Sequence, residues 1–207
     1  MTDTPVQGAG ASAEALGFLA RLERWTAAEA AEGTAALHAA LLAWLRAEQA
    51  AHAANGLVHQ LAARALDVAA ADLERGSDPA ELRAHLAQSC VAERADLEGA
   101  RTAVARTAAA LVTERGAWIA TLGGGSTVAL ALLELQRLGR GPRALVGEGR
   151  PLLAGRALAA ELGHAGVPTW LVVDGALPVL LSQAAGLWLG ADAVTDRGAI
   201  VAVGGGS

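Results

Sequence analysis

Residues 118–135, WIATLGGGSTVALALLEL, constrain this chain more than any other stretch. An apolar run of strand length enters three consecutive glycines, passes Ser126 and Thr127, and re-emerges with helical spacing. A strand that breaks at glycine and restarts as a helix is the first half of a β–α–β unit, and such units build parallel sheets. The pattern then repeats. Strands are expected at 117–122, 143–146, 169–173, 187–189 and 200–203, with helices at 126–138, 153–165 and 176–186.

The first half of the chain has a different texture. After a loose polar tail over residues 1–9, it is almost continuously helical in pattern, with breaks at Gly33, Asn55-Gly56 and Gly76-Ser77-Asp78-Pro79. Four helices are expected, at 11–31, 34–53, 57–75 and 79–114. Ser77 or Asp78 would cap the last, with Pro79 in its first turn and Glu81 following. Leu16, Leu19, Leu22 and Trp25 form a helical stripe on the first. Glu93, Arg94, Asp96, Glu98 and Arg101 alternate in sign along the fourth, as on a solvated face with helix-spaced ion pairs. The expected fold is α/β: a helical domain over 1–115, then a Rossmann-like parallel-sheet domain over 116–207.

Composition narrows the function. Hydrophobic residues make up 53% of the 207 but aromatics only 3%, so the core must be built from Ala, Leu and Val. Every one of the 16 basic residues is Arg, which excludes a P-loop lysine, a Schiff-base lysine and a Ser–Lys dyad. A net charge of −5 argues against non-specific nucleic-acid binding. Cys90 is the only cysteine, so neither an internal disulfide nor a Cys-based zinc site is expected; it reads as a small buried hydrophobe. No secretory signal and no membrane-spanning stretch of about 18 apolar residues is seen, so a cytoplasmic protein is expected. No cofactor is called for.

In a parallel sheet, ligands bind at the carboxyl ends of the strands. The residues that stand out lie at such ends: Gly123, Gly124, Gly125 and Ser126, then Glu148 and Arg150, then Asp174, then Asp192. Glycines before a helix allow positive φ and close backbone approach, and the helix start offers unpaired N–H groups to an anion. The same glycines read equally as a tight turn. Arg150 can clamp phosphate or carboxylate, or pair with Glu148 to organise its loop. Asp174 reads as a helix N-cap, or as a carboxylate facing the cleft for acid–base work or for ligand hydroxyls. A turn role is expected for Asp192. His164 marks a helix end remote from the cleft.

Four segments, in order, resemble the α/β/δ regulatory subunits of translation initiation factor 2B and their relatives, methylthioribose-1-phosphate isomerase and ribose-1,5-bisphosphate isomerase. IATLGGGSTV stands for the family's I-L-T-H-[S/C]-x-S-x-x-V. VGEGRPLLAGRALAAELGHAGVPT stands for V-x-E-[S/T]-R-P-x-x-x-G-x-x-x-A-x-x-L-x-x-x-G-I-P-x-T. VVDGA and LGADAVTDRGAI follow, the latter for V-G-A-D-x-[V/I]-x-x-N-G. The resemblance covers residues 105–200 and implies a helical domain before a Rossmann-like one. It implies a phosphosugar site lined by the Arg of Arg150-Pro151, with Asp174 at the place of the isomerases' acid–base aspartate and Asp192 in the Gly-Ala-Asp segment; with the strand-end residues Thr121, Gly123, Gly124, Gly125, Ser126 and Glu148, one ligand-binding pocket is expected.

The departures carry as much information. Where the isomerases keep a catalytic Cys two residues after Thr121, this chain has Gly123, and Leu122 takes the place of the His. The family's Asn-Lys pair falls on Ala202 and Val203, and the Arg-Gly phosphate motif near the family's N-terminus has only the echo GAGAS. Isomerisation needs an acid–base pair, of which Asp174 alone remains. The resemblance therefore implies a non-catalytic regulatory or binding protein, with a sugar phosphate or nucleoside monophosphate as ligand. The alternative is an aldose–ketose isomerase acting through Asp174. A structural module without ligand ranks third. The family's sheet continues past the point where this chain ends at VAVGGGS, so either this sequence lacks the C-terminal part of the domain or the domain is shortened; a shortened one would leave a sheet edge and apolar surface that favour oligomerisation, with a homodimer expected.

Overall fold

A computed structural model describes residues 11–28, 33–196 and 198–200. The described residues divide into two compact units, one of Ala13–Glu98 and one from Gly99 onward; the division falls inside the fourth helix.

The first unit is helical: α1 (Ala11–Ala28), α2 (Thr34–Ala51), α3 (Gly56–Arg75) and the start of α4 (Pro79–Leu111). Phe18, Leu19, Leu22, Leu37, Leu41, Leu45, Leu82 and Leu86 are fully buried in one core. The Leu spacing on α1 and α2 puts one face of each helix inside. With few aromatics available, the core concentrates them: Trp44 lies between Phe18 and Trp25, with ring centroids 5.7 and 5.9 Å away. Cys90 is buried in the same core, and burial, followed by the charge of Glu23, pushes its thiol up to about 11. It is an inert thiol at neutral pH.

The breaks work as capping chemistry. The Asn55 side chain accepts from the N–H groups of Leu57 and Val58, and Gly76 ends α3 at φ 71°. At α4, Asp78 accepts from the N–H groups of Ala80 and Glu81, both at 2.8 Å, while the Asp78 N–H donates to the Glu81 carboxylate at 3.0 Å. That is a reciprocal capping box, and Asp78 rather than Ser77 is the cap. Ser77 instead donates its hydroxyl to Asp72. The charged face of α4 also differs from expectation. Glu93 pairs with Arg64 of α3, and Arg94 with Glu23 of α1 at 3.1 Å, so these charges join neighbouring helices rather than successive turns of α4.

The second unit carries a four-stranded parallel sheet in the order β3-β2-β1-β4, from β1 (Trp118–Leu122), β2 (Arg143–Gly147), β3 (Thr169–Val172) and β4 (Gly186–Leu187). The helices α5 (Ser126–Arg137) and α6 (Ala154–His164) are the crossovers. Side chains alternate across the sheet as a pleat requires. Ile119, Ala144 and Val146 join Leu132, Leu135, Leu158 and Leu162 in one core, and Ala120 and Leu145 join Leu177 in another.

Three expectations are corrected here. The helix expected at 176–186 is α7 (Leu177–Leu180) between two 3-10 turns, Asp174–Ala176 and Leu181–Gln183. The chain leaves the helix because β1 recruits it: the N–H groups of Ala185 and Trp188 donate to the carbonyls of Trp118 and Ala120. The strand expected at 187–189 therefore starts one residue earlier. The last strand does not join the parallel sheet; β5 (Ala193–Thr195) and β6 (Gly198–Ile200) form an antiparallel pair of their own. The short loop between them favours a hairpin over a crossover. Residues 201–203 of the expected strand lie outside the described residues.

One buried charge ties the first unit together. Asp72 has no exposed surface and accepts from Arg75 at 2.6 Å, Ser77 at 2.8 Å and His85 Nδ1 at 2.9 Å. Burial raises its pKa, but the bonds from Ser77, Arg75 and His85 outweigh burial and hold it below 3.8. A depressed carboxyl stabilises the fold above its unfolded pKa, and that contribution disappears as pH falls through the folded value. In acid titrations followed by circular dichroism, Asp72→Ala is expected to lose roughly 1–3 kcal/mol at neutral pH, the loss of hydrogen bonds to a charged group, since the Arg75 and His85 side chains it leaves are about half exposed. It is also expected to flatten the acid limb of the stability curve below pH of about 4.

Candidate functional site

The site is built where β1, β2 and β3 end. In the order β3-β2-β1-β4 the chain runs outward from β1 through β2 to β3, then returns to the other side of β1. The carboxyl ends of β1 and β4 therefore flank the topological switch point, the standard crevice of open α/β sheets. Gly123–Ser126 leaves one side of it, and the segment from Trp188 to Asp192 leaves the other.

The loop after β1 begins with Gly123 at φ 71°, a left-handed conformation that favours glycine. Gly125 is extended, at φ −159°, and precedes α5 with no side-chain cap. Of the three glycines, Gly123 is thus one whose conformation calls for glycine, whereas Gly125 has a backbone any residue adopts. Thr121 is buried on β1 beside Val146, and Ser126 opens α5.

The loop after β2 holds the rest. Glu148 is buried, continuing the ladder through its N–H to the carbonyl of Val172. Gly149 has φ 71°, and Arg150 precedes Pro151 through a cis peptide bond. Leu153 takes a left-handed φ of 57° and returns its N–H to the carbonyl of Gly149. Gly155 follows in α6. A Cβ there would lie 2.0 Å from the carbonyl oxygen of Gly147 and 3.0 Å from that of Glu148, so α6 starts directly against the end of β2. A Cβ on Gly149 would lie 2.6 Å from the Cα of Gly123. The loops after β1 and β2 therefore meet backbone to backbone, through Gly149 rather than Arg150.

Asp174 locks this loop. Its Oδ1 accepts from the Gly149 N–H and its Oδ2 from the Arg150 N–H, both at 2.8 Å. The carboxylate does not cap the 3-10 turn it begins. It crosses instead from the end of β3 to the loop of β2, and Gly147 leaves room for it: a Cβ on Gly147 would stand 3.1 Å from Asp174 Oδ1 and 2.6 Å from Leu122. The charged groups lie beside it. Glu148 Oε2 faces Arg150 at 3.4 Å and Arg156 at 3.5 Å, with both guanidiniums mostly exposed.

The structure thus brings Gly123, Glu148, Arg150 and Asp174 into one set of touching loops. Asp192 lies at a bend between β4 and β5, on the other side of the switch point. His164 ends α6, its Nδ1 at 2.7 Å from the carbonyl of Ala160, at the opposite end of that helix from the loop. The residues that sequence reasoning missed are Gly147, Gly149, Gly155 and Arg156. The glycines were visible in VGEGRPLLAGR, but nothing in the sequence says that a neighbouring chain occupies the space of their missing side chains. Among the described residues, no group of three or more His, Cys, Asp or Glu could hold a metal ion, and no helix is long and apolar enough to cross a membrane.

Gly155 offers a sharp check on this architecture. Gly155→Ala is expected to cost about 3 kcal/mol or more in urea unfolding, because β2 or α6 must move. Gly163→Ala sits in the same helix with nothing within 4 Å of its Cβ; it should leave stability unchanged or raise it by about 0.5–1 kcal/mol.

No curated protein matches the chain by sequence. Among solved structures, it is similar to the translation initiation factor eIF-2B of Pyrococcus horikoshii OT3, with a TM-score of 0.81 at 18% identity over 94% of this chain and 65% of that one. It is also similar to the tetrameric eIF2B-beta2-delta2 complex of C. thermophilum, at 0.66 and 17% over 89% and 62%, and to eIF2B beta of Chaetomium thermophilum, at 0.58 and 17% over 90% and 60%. The chain thus spans a little under two thirds of the length of these relatives. They share its fold of a helical region followed by a parallel-sheet domain. The family profile described as the Initiation factor 2 subunit family matches residues 12–207, and the chain belongs to that family.

Proposed function

We propose that this chain is a non-catalytic regulatory or binding member of its family, with a pocket for a phosphorylated sugar or nucleotide at the switch-point end of the sheet. The observation that carries the reading is the engagement of Asp174. An acid–base carboxylate must reach a substrate proton within hydrogen-bond distance. Here each carboxylate oxygen already holds a backbone amide at 2.8 Å. The position of the isomerase Cys adds to the argument: Gly123 carries no side chain, has a positive φ, and packs against Gly149. A nucleophile or acid at residue 123 would need a strained, left-handed backbone.

Anion binding survives this loss of chemistry. Arg150 is exposed beside the loop, and the uncapped amides that open α5 follow the glycines. Guanidinium groups and helix-start amides both suit phosphate. Because the solved relatives include a tetrameric complex of eIF2B subunits, association with a second subunit of the same family, as a homodimer or otherwise, belongs to the same proposal.

The test is thermal unfolding with ribose 5-phosphate and with AMP, followed by an isomerase assay on the pentose phosphate. Ligand at about 100 times its dissociation constant adds roughly 2.7 kcal/mol of stability. The expected result is a rise in midpoint with one of these ligands, lost in Arg150→Ala, and no turnover. Turnover abolished by Asp174→Asn would overturn the reading in favour of an isomerase. A midpoint unmoved by either ligand would remove the pocket.

A further inference from the structure

Arg156 takes no part in the reading above, yet with Glu148 and Arg150 it forms an unusual electrostatic feature of the site. Glu148 is buried, and one of its oxygens, Oε2, faces two guanidiniums at once, Arg150 at 3.4 Å and Arg156 at 3.5 Å. Both distances are long for charge-assisted bonds, which close to about 2.7–2.9 Å. The carboxylate is therefore shared, and it saturates neither partner. Among the described residues, Glu148 is the only hydrogen-bond or ion-pair partner of either guanidinium. Each retains several N–H donors, and the side chains of Arg150 and Arg156 are 65% and 58% exposed. The Asp174 carboxylate does not quench them, since both its oxygens face loop amides.

The backbone fixes this pair. Arg150 is tied through its N–H to Asp174, and Arg156 sits in the first turn of α6, one residue after the Gly155 contact with β2. Two like charges are thus held side by side by one buried carboxylate, facing solvent. An exposed side-chain pair of this kind adds little stability.

We propose that Arg156 is a second anion-binding residue, and that Arg150 and Arg156 together select the terminal phosphate of a phosphate monoester. The proposal rests on the pocket reading above and deepens it. A carboxylate has two oxygens and is satisfied by one guanidinium fork. A terminal phosphate has three oxygens and can accept from two forks together. Glu148 is a positioning residue, offsetting one positive charge so that the two arginines can stand together before ligand arrives.

Calorimetric titration with ribose 5-phosphate, using unphosphorylated ribose as control, tests this on the whole chain. Arg156→Ala is expected to weaken ribose 5-phosphate binding by about tenfold or more, the loss of one charge-assisted contact. The unligated unfolding midpoint should stay where it is. Arg156→Lys should recover affinity only in part, because an ammonium is a point charge without a fork. If Arg156→Ala binds like the unaltered chain while Arg150→Ala does not, the second site residue is overturned and the pocket stands. A loss of binding with a lowered unligated midpoint would make Arg156 structural and overturn the proposal. If the unaltered chain binds no ribose 5-phosphate, this proposal falls, and AMP decides whether the pocket falls with it.

Discussion

The carboxylate of Asp174 organises the whole carboxyl end of the sheet. By accepting two backbone amides of the neighbouring loop at 2.8 Å, it fixes the turn that carries Arg150 and opens α6. Hydrogen bonds from amides to a carboxylate are about twice as strong as those between neutral groups. The consequences follow in order. Gly149, held in place, meets Gly123; α6 starts against β2 through Gly155; and Glu148 is left buried beneath two arginines. On the proposed non-catalytic reading, a group of acid–base type serves here as scaffold.

The proposed reading accounts for a chain that keeps the family segments but has Gly at residue 123. A parallel sheet with a switch point offers a ligand site whether or not a reactive residue stands there. Residue 123 carries no side chain and takes a positive φ, while the exposed arginines remain. In the proposed reading, binding rests on the arginines and catalysis would have rested on residues 123 and 174, so one can be lost without the other.

Much of this was legible in the sequence. The strand–glycine–helix junction at 118–135 and the repeated pattern after it gave the parallel sheet, and Pro79 with Asp78 and Glu81 gave the start of α4. What remained hidden depended on contacts distant in sequence. The run 176–186 has good helix formers, but β1 draws Ala185 and Trp188 into its ladder. Asp174 looks like an N-cap locally, and the amides it binds lie about 25 residues upstream. Charge alternation on α4 suggested pairs along one helix, whereas Arg64 and Glu23 come from other helices. Arg156 gave no signal of its own, because only the geometry puts it on the same carboxylate oxygen as Arg150.

The most direct test of the central claim is amide hydrogen exchange at Gly149 and Arg150, read residue by residue by NMR in the unligated protein. If Asp174 is a scaffold, both amides are protected, and Asp174→Ala releases them while the β1–β2 ladder amides stay protected. Fast exchange at both positions in the unaltered chain would mean that the carboxylate is free to face a substrate, and would contradict the account.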